Sequence, residues 1–129
     1  MALKTWTGSC HCGAVVFEVD ADLEVEPIVD CDCSMCTKKA LLHLIVEPER
    51  FRLLQGADAL SEYRFNTRTA RHTFCRTCGI HPFYTPRSHP DMVDVNVRCL
   101  DGIDLSTLNY EPFDGQDWEG SIEGLREKV

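Results

Sequence analysis

Apolar and polar positions alternate with a period of two in several short runs, and that pattern predicts strands. MVDVNV (92–97) sets Met92, Asp94 and Asn96 on one face and Val93, Val95 and Val97 on the other. AVVFEV (14–19), LLHLIVE (41–47), SEYRFN (61–66) and RHTFC (71–75) are also rich in β-branched, aromatic or aliphatic residues. Turn signals separate these runs: EP at 47–48, QG at 55–56, TP at 85–86 and DG at 101–102. Helix is scarce. Single turns are predicted near Ser34–Lys39 and 105–108, and a C-terminal helix over about 117–128, where Gly120 and Gly124 lower the propensity. The expectation is one all-β domain over residues 1–129, mainly antiparallel, with a short C-terminal helix and metal knuckles between strands.

Composition narrows the picture. The 129 residues are 43% hydrophobic, with no apolar run long enough for a membrane span. The opening MALKTWTGSC has one lysine and no apolar stretch, so no secretory signal is expected. Eight cysteines without an export signal point to a reducing, cytoplasmic setting, where they read as metal ligands or reactive thiols. The net charge of -8 argues against nucleic-acid and anionic-membrane binding. Five arginines fall between Ser61 and Pro90 (Arg64, Arg68, Arg71, Arg76 and Arg87) against one acid, Glu62. They form either a solvated strand face or a wall for a small anionic ligand.

Cysteine spacing carries the chemistry. The residues group as Cys10/Cys12 in GSCHCG, Cys31/Cys33/Cys36 in CDCSMC, Cys75/Cys78 in FCRTCG, and a solitary Cys99. In an extended segment, two cysteines separated by one residue point both thiols to one side. In C-x-x-C-G the tight turn brings the sulfurs together, and the glycine can take a positive φ. A thioredoxin-like redox role for Cys75/Cys78 is disfavoured, because Gly79, Pro82 and Pro86 oppose the helix that such a pair opens. Two pairs make one four-thiolate site, Cys10/Cys12 with Cys75/Cys78, and the triplet is left one ligand short. Cys99 either closes the triplet or is a small buried hydrophobe.

The histidines read less sharply. His11 lies between two ligand candidates and should point away from their metal. His43 is a wall residue or a proton-transfer group, and His72 is read as structural. His81 and His89 flank FYTPRS and could line a cleft. His43, His81 and Tyr84 are the candidates for a general acid or base. Asp30 and Asp32 bracket Cys31 as hydrogen-bond partners of the site or as solvated turn residues.

GSCHCGAV, CDCSMC, ERFRLLQG and HTFCRTCGIHPFYTPRS together closely resemble the glutathione-dependent formaldehyde-activating enzyme family, nearest its centromere protein V branch. The tail DGIDLSTLNYEPFDGQDWE resembles that branch too. The resemblance implies the zinc-containing fold of the Rab-binding exchange-accessory proteins and two zinc ions per molecule. The structural ion would sit on Cys10, Cys12, Cys75 and Cys78. The second, catalytic ion would sit on Cys31, Cys33 and Cys36, with partial occupancy expected of a three-thiolate site. The implied activity is carbon–sulfur lyase chemistry of the S-(hydroxymethyl)glutathione synthase kind, with a small thiol such as glutathione as partner. The alternative is a non-catalytic zinc module that binds another protein.

Overall fold

The computed structural model describes residues 3–128. In sequence order the strands are β1 (Lys4–Ser9), β2 (Val16–Ala21), β3 (Ile28–Cys31), β4 (His43–Val46), β5 (Phe51–Gln55), β6 (Leu60–Tyr63), β7 (His72–Cys75), β8 (Phe83–Tyr84), β9 (Val93–Asn96) and β10 (Tyr110–Phe113). Two helices, α1 (Ser34–Lys39) and α2 (Trp118–Lys128), complete the regular structure together with short 3₁₀ turns. The strands form a three-stranded sheet ordered β1-β2-β5, a five-stranded sheet ordered β10-β3-β4-β9-β8, and the pair β6-β7. Every pairing is antiparallel except β10 with β3. None of the helices is long and apolar enough to cross a membrane.

The period-two pattern works as expected in β2. Phe17, Val19 and Ala21 are fully buried, and the intervening positions are half-exposed. On that outer face Asp20 accepts from Arg52 Nη2 of β5 at 2.8 Å. The inner face meets Phe51 and Phe83, with ring centroids 5.5 and 5.9 Å from Phe17, at distances where aromatic pairs attract.

The five-stranded sheet is buried on both faces at its centre, and this positions the site. All four residues of β4 are buried. Leu44 and Val46 join Val95 and Val97 in the main core, so the valine side of the alternating run is the core side. His43, Ile45 and Asp94 face a cleft on the other side. Asp94 and Asn96, polar on the sequence pattern, are therefore 2% and 7% exposed rather than solvated. The parallel partner β10 contains Pro112, which the sheet tolerates because β10 is an edge strand. Its register sets Phe113 opposite Cys31. The following residues, and α2 after them, are thereby delivered beside the cysteine triplet.

Candidate functional site

Two matching turns build the four-cysteine cluster. After β1, Cys10 N–H donates to Val15 O at 3.0 Å and Gly13 N–H to Cys10 O at 3.3 Å. After β7, Cys75 N–H donates to Ile80 O at 2.8 Å and Gly79 N–H to Cys75 O at 2.7 Å. Gly13 and Gly79 hold φ of 81° and 79°, which glycine adopts without strain and which lets each knuckle close. The four sulfurs all lie within 4.8 Å of one another. Cys12 Sγ is 3.6 Å from both Cys10 Sγ and Cys75 Sγ, close to the roughly 3.8 Å between sulfurs around a tetrahedral zinc ion. The donor set fits such an ion and is complete.

The triplet is built from the end of β3 and the start of α1. Cys33 caps the helix, its sulfur accepting from Cys36 N–H at 3.3 Å. The helix ends at Ala40 in the left-handed region, φ 54°. The sulfurs of Cys31, Cys33 and Cys36 lie within 4.8 Å of one another, and among the described residues no fourth His, Cys, Asp or Glu joins them. Hydrogen bonds from the neighbouring thiols of Cys31 and Cys36 pull Cys33 far below the usual thiol range. The same bonds push Cys31 and Cys36 up.

Behind Cys36 stands a buried polar group. His43 Nε2 lies 3.1 Å from Cys36 Sγ, and Nδ1 lies 2.8 Å from Asp94 Oδ2, with Tyr84 Oη 3.2 Å from the same nitrogen. Burial alone would lower the His43 pKa, but the charge and hydrogen bond of Asp94 outweigh it and hold it above the ordinary value. Tyr84 is driven the other way from ionisation, burial raising its phenol well above the usual range. Its ring stacks on His72 at 4.7 Å.

These groups floor a cleft of about 590 Å³ whose lining includes all three triplet cysteines. The segment after β10 forms one wall. Asp32 Oδ1 accepts from Gly115 N–H at 2.8 Å and Gln116 N–H at 3.3 Å, pinning that turn over the triplet. A Cβ on Gly115 would fall 2.4 Å from Cys31 Sγ. Position 115 must therefore stay bare.

The structure brings together both cysteine sets read from the sequence. Cys99 joins neither. It packs at the edge of the main core, and burial, with the nearby Cys10 and Cys78, raises its pKa to about 11. Of the five arginines only Arg87 lines the cleft; Arg64 and Arg71 are paired with Glu62. His43 and Tyr84 reach the site, and so does His72, which the sequence reading left structural. His81 is buried away from the cleft, beside a smaller cavity, and His89 is half-buried against Ser88. Asp94 and Gly115 were missed. Only the placement of a polar residue in an otherwise valine-rich strand hinted at Asp94, and nothing local marked Gly115.

The fold and the two sulfur sets define a class: a mainly antiparallel β protein with two cysteine clusters able to hold metal ions, one closed and one facing a cleft. The family model for the glutathione-dependent formaldehyde-activating enzyme matches residues 5–115, which include all seven clustered cysteines, and the protein belongs to that family. A crystal structure of a Rhodobacter sphaeroides protein superposes with a TM-score of 0.73 at 39% identity, covering 82% of this sequence and 97% of the other.

Proposed function

We propose that the protein is a zinc-dependent enzyme of carbon–sulfur lyase type, joining a thiol to formaldehyde and splitting the adduct at Cys31, Cys33 and Cys36. A second zinc on Cys10, Cys12, Cys75 and Cys78 has a structural role. One observation supports this above the others: three sulfurs converge on the floor of a cleft with no fourth protein donor among the described residues. An open position of this kind is what separates catalytic from structural zinc sites. The family's printed description names glutathione and formaldehyde.

A zinc ion on the triplet would lower the pKa of an incoming thiol and polarise an aldehyde oxygen. The protein's own residues prepare for this. Asp94 accepts from His43 Nδ1–H, which leaves Nε2 turned to Cys36 Sγ. His43 Nε2 can then take the Cys36 proton and, once protonated, donate to the Cys36 thiolate. Tyr84 and His72 exclude water from that pair. In the reaction the thiol sulfur bonds to the carbonyl carbon. The π pair moves to oxygen, which receives a proton in exchange for the one the thiol released.

Native mass spectrometry counting zinc per molecule, with and without glutathione and formaldehyde, tests the reading. Two zincs are expected, with a thiol adduct or loss of one ion on titration. Formaldehyde–thiol exchange followed by NMR should be faster with enzyme and lost in Cys33→Ser. Two zincs indifferent to every thiol, with no acceleration, would return the protein to a purely structural module.

A further inference from the structure

The cleft above the triplet is poorly matched to glutathione. Near neutral pH that tripeptide carries two carboxylates, one ammonium and no large apolar group. Arg87 is the one arginine or lysine among the described residues lining the cleft. It is already engaged: Nη2 bonds Glu119 Oε1 at 3.0 Å, and its guanidinium carbon lies 3.7 Å from the Trp118 ring centroid. Asp117 and Glu119 add negative charge to the same wall. A second substrate carboxylate would meet acids, not a cation.

Much of the remaining lining is apolar, interrupted by the neutral polar side chains of Ser34, Asn66, Thr67, Ser88 and Gln116. Phe65 stands on the β6–β7 loop, its ring stacked against Tyr63 and His72, and Trp118 stands on α2. Val29, Ile45, Phe113 and Leu125 extend the apolar surface. Trp118, Glu119 and Leu125 lie beyond residue 115, where the family match ends.

We propose that the cleft selects an apolar thiol, one bearing an aromatic or branched aliphatic group and at most one carboxylate, in preference to glutathione. The inference rests on the thiol-adduct reading above and names its substrate class. Arg87 is the single anchor for a carboxylate, and Trp118 and Phe65 receive the apolar group. The chemistry is unchanged: the thiol sulfur bonds to the formaldehyde carbon, the carbonyl π pair goes to oxygen, and a proton equivalent to the thiol's ends on that oxygen. No oxidant or reductant is needed.

The test uses the zinc-loaded protein with two probes, phenylmethanethiol and glutathione, and two readouts. Isothermal titration calorimetry gives the dissociation constants, and exchange NMR gives the rate of formaldehyde–thiol adduct formation. Phenylmethanethiol should bind about tenfold tighter or better, the scale on which apolar pockets discriminate. Trp118→Ala should remove most of that preference by weakening phenylmethanethiol far more than glutathione, with the zinc count unchanged. Equal or tighter binding of glutathione overturns the proposal, as does a Trp118→Ala loss shared equally by both thiols. Selective binding without acceleration of either adduct upholds the cleft's selectivity and sinks the enzymatic reading instead, so the two failures are distinct.

Discussion

The two cysteine clusters use the same side chain for opposite ends. The four-cysteine set is tied to its own backbone by two nearly identical knuckles, and its ligands come from turns 63 residues apart between Cys12 and Cys75. Its donor set is full. The triplet gathers its sulfurs from six consecutive residues, leaves a position open, and leans on a buried carboxylate–imidazole pair and on a turn from the far end of the sequence. A local triplet cross-links little of the fold, whereas the four-cysteine set joins two distant hairpin ends. Stability should therefore reside in the first cluster and reactivity in the second.

The largest expected effect follows from that division. A structural zinc site contributes on the order of 10 kcal/mol of folding free energy, comparable with the roughly 5–15 kcal/mol net stability of a domain. Cys75→Ser should thus abolish cooperative unfolding at 25 °C, read by circular dichroism and urea titration. Cys33→Ser should behave differently. Serine is itself a good N-cap, so α1 keeps the bond that Cys33 Sγ now accepts from Cys36 N–H. The melting temperature should move by no more than about 5 °C, with one zinc and all turnover lost. Comparable unfolding by both substitutions would erase the contrast.

Smaller changes sharpen it. Asp94→Asn removes the carboxylate that orients His43, and should cost about 10- to 100-fold in zinc affinity at the triplet or in turnover. The four-cysteine metal should be untouched, which competition with a chromogenic chelator would show. Glycines separate the clusters more finely. Gly115→Ala fails for lack of space against Cys31 Sγ and should cost about 1–3 kcal/mol, together with weakened zinc at the triplet. Gly13→Ala meets nothing within 4 Å but must hold φ at +81°, a backbone cost of about 1–2 kcal/mol with no effect on the triplet.

The sequence was most legible where chemistry is local. Cysteine spacing and the trailing glycines placed both sulfur sets, and the runs at 14–19, 41–47, 71–75 and 92–97 coincide with β2, β4, β7 and β9. The turns at Ser34–Lys39 and Leu105–Thr107 and the C-terminal helix also formed, the helix despite Gly120 and Gly124 because Ile122 and Leu125 pack on Val29 and Phe113. SEYRFN shrank to β6, its last three residues entering a turn where Asn66 and Arg68 hold positive φ. What escaped depends on long-range partners. β1 buries little, β3 and β8 are very short, β5 is largely exposed, and β10 contains a proline. No local pattern announces that Gly115 must be bare, because its constraint is a sulfur 84 residues earlier.

Acid should load the linker between the clusters. His81 follows the second knuckle and precedes Tyr84 of the cleft. It is 3% exposed, neither ring nitrogen has a hydrogen-bond partner, and burial holds its pKa down at about 3 against an ordinary 6.5. The groups acting on it are His72, Tyr84, Lys39 and His43; His72 is also held low by burial. Between about pH 3 and 6.5 the unfolded protein binds a proton at His81 that the folded protein refuses. Stability from this residue is therefore complete above about pH 6.5 and falls as pH drops, by about 2 kcal/mol at pH 5. His43, whose pKa is raised, works in the opposite sense, stabilising the fold at low pH and losing that contribution as pH rises through its folded value. Urea unfolding of the parent and of His81→Asn at about pH 7 and pH 5 isolates the His81 share, since acid displacement of metal from the thiolates is common to both proteins. The variant should lose about 2 kcal/mol less than the parent across that interval. Equal losses would mean that His81 is protonated or solvated in the folded protein, and that the tract joining the two clusters is wetter than its burial implies.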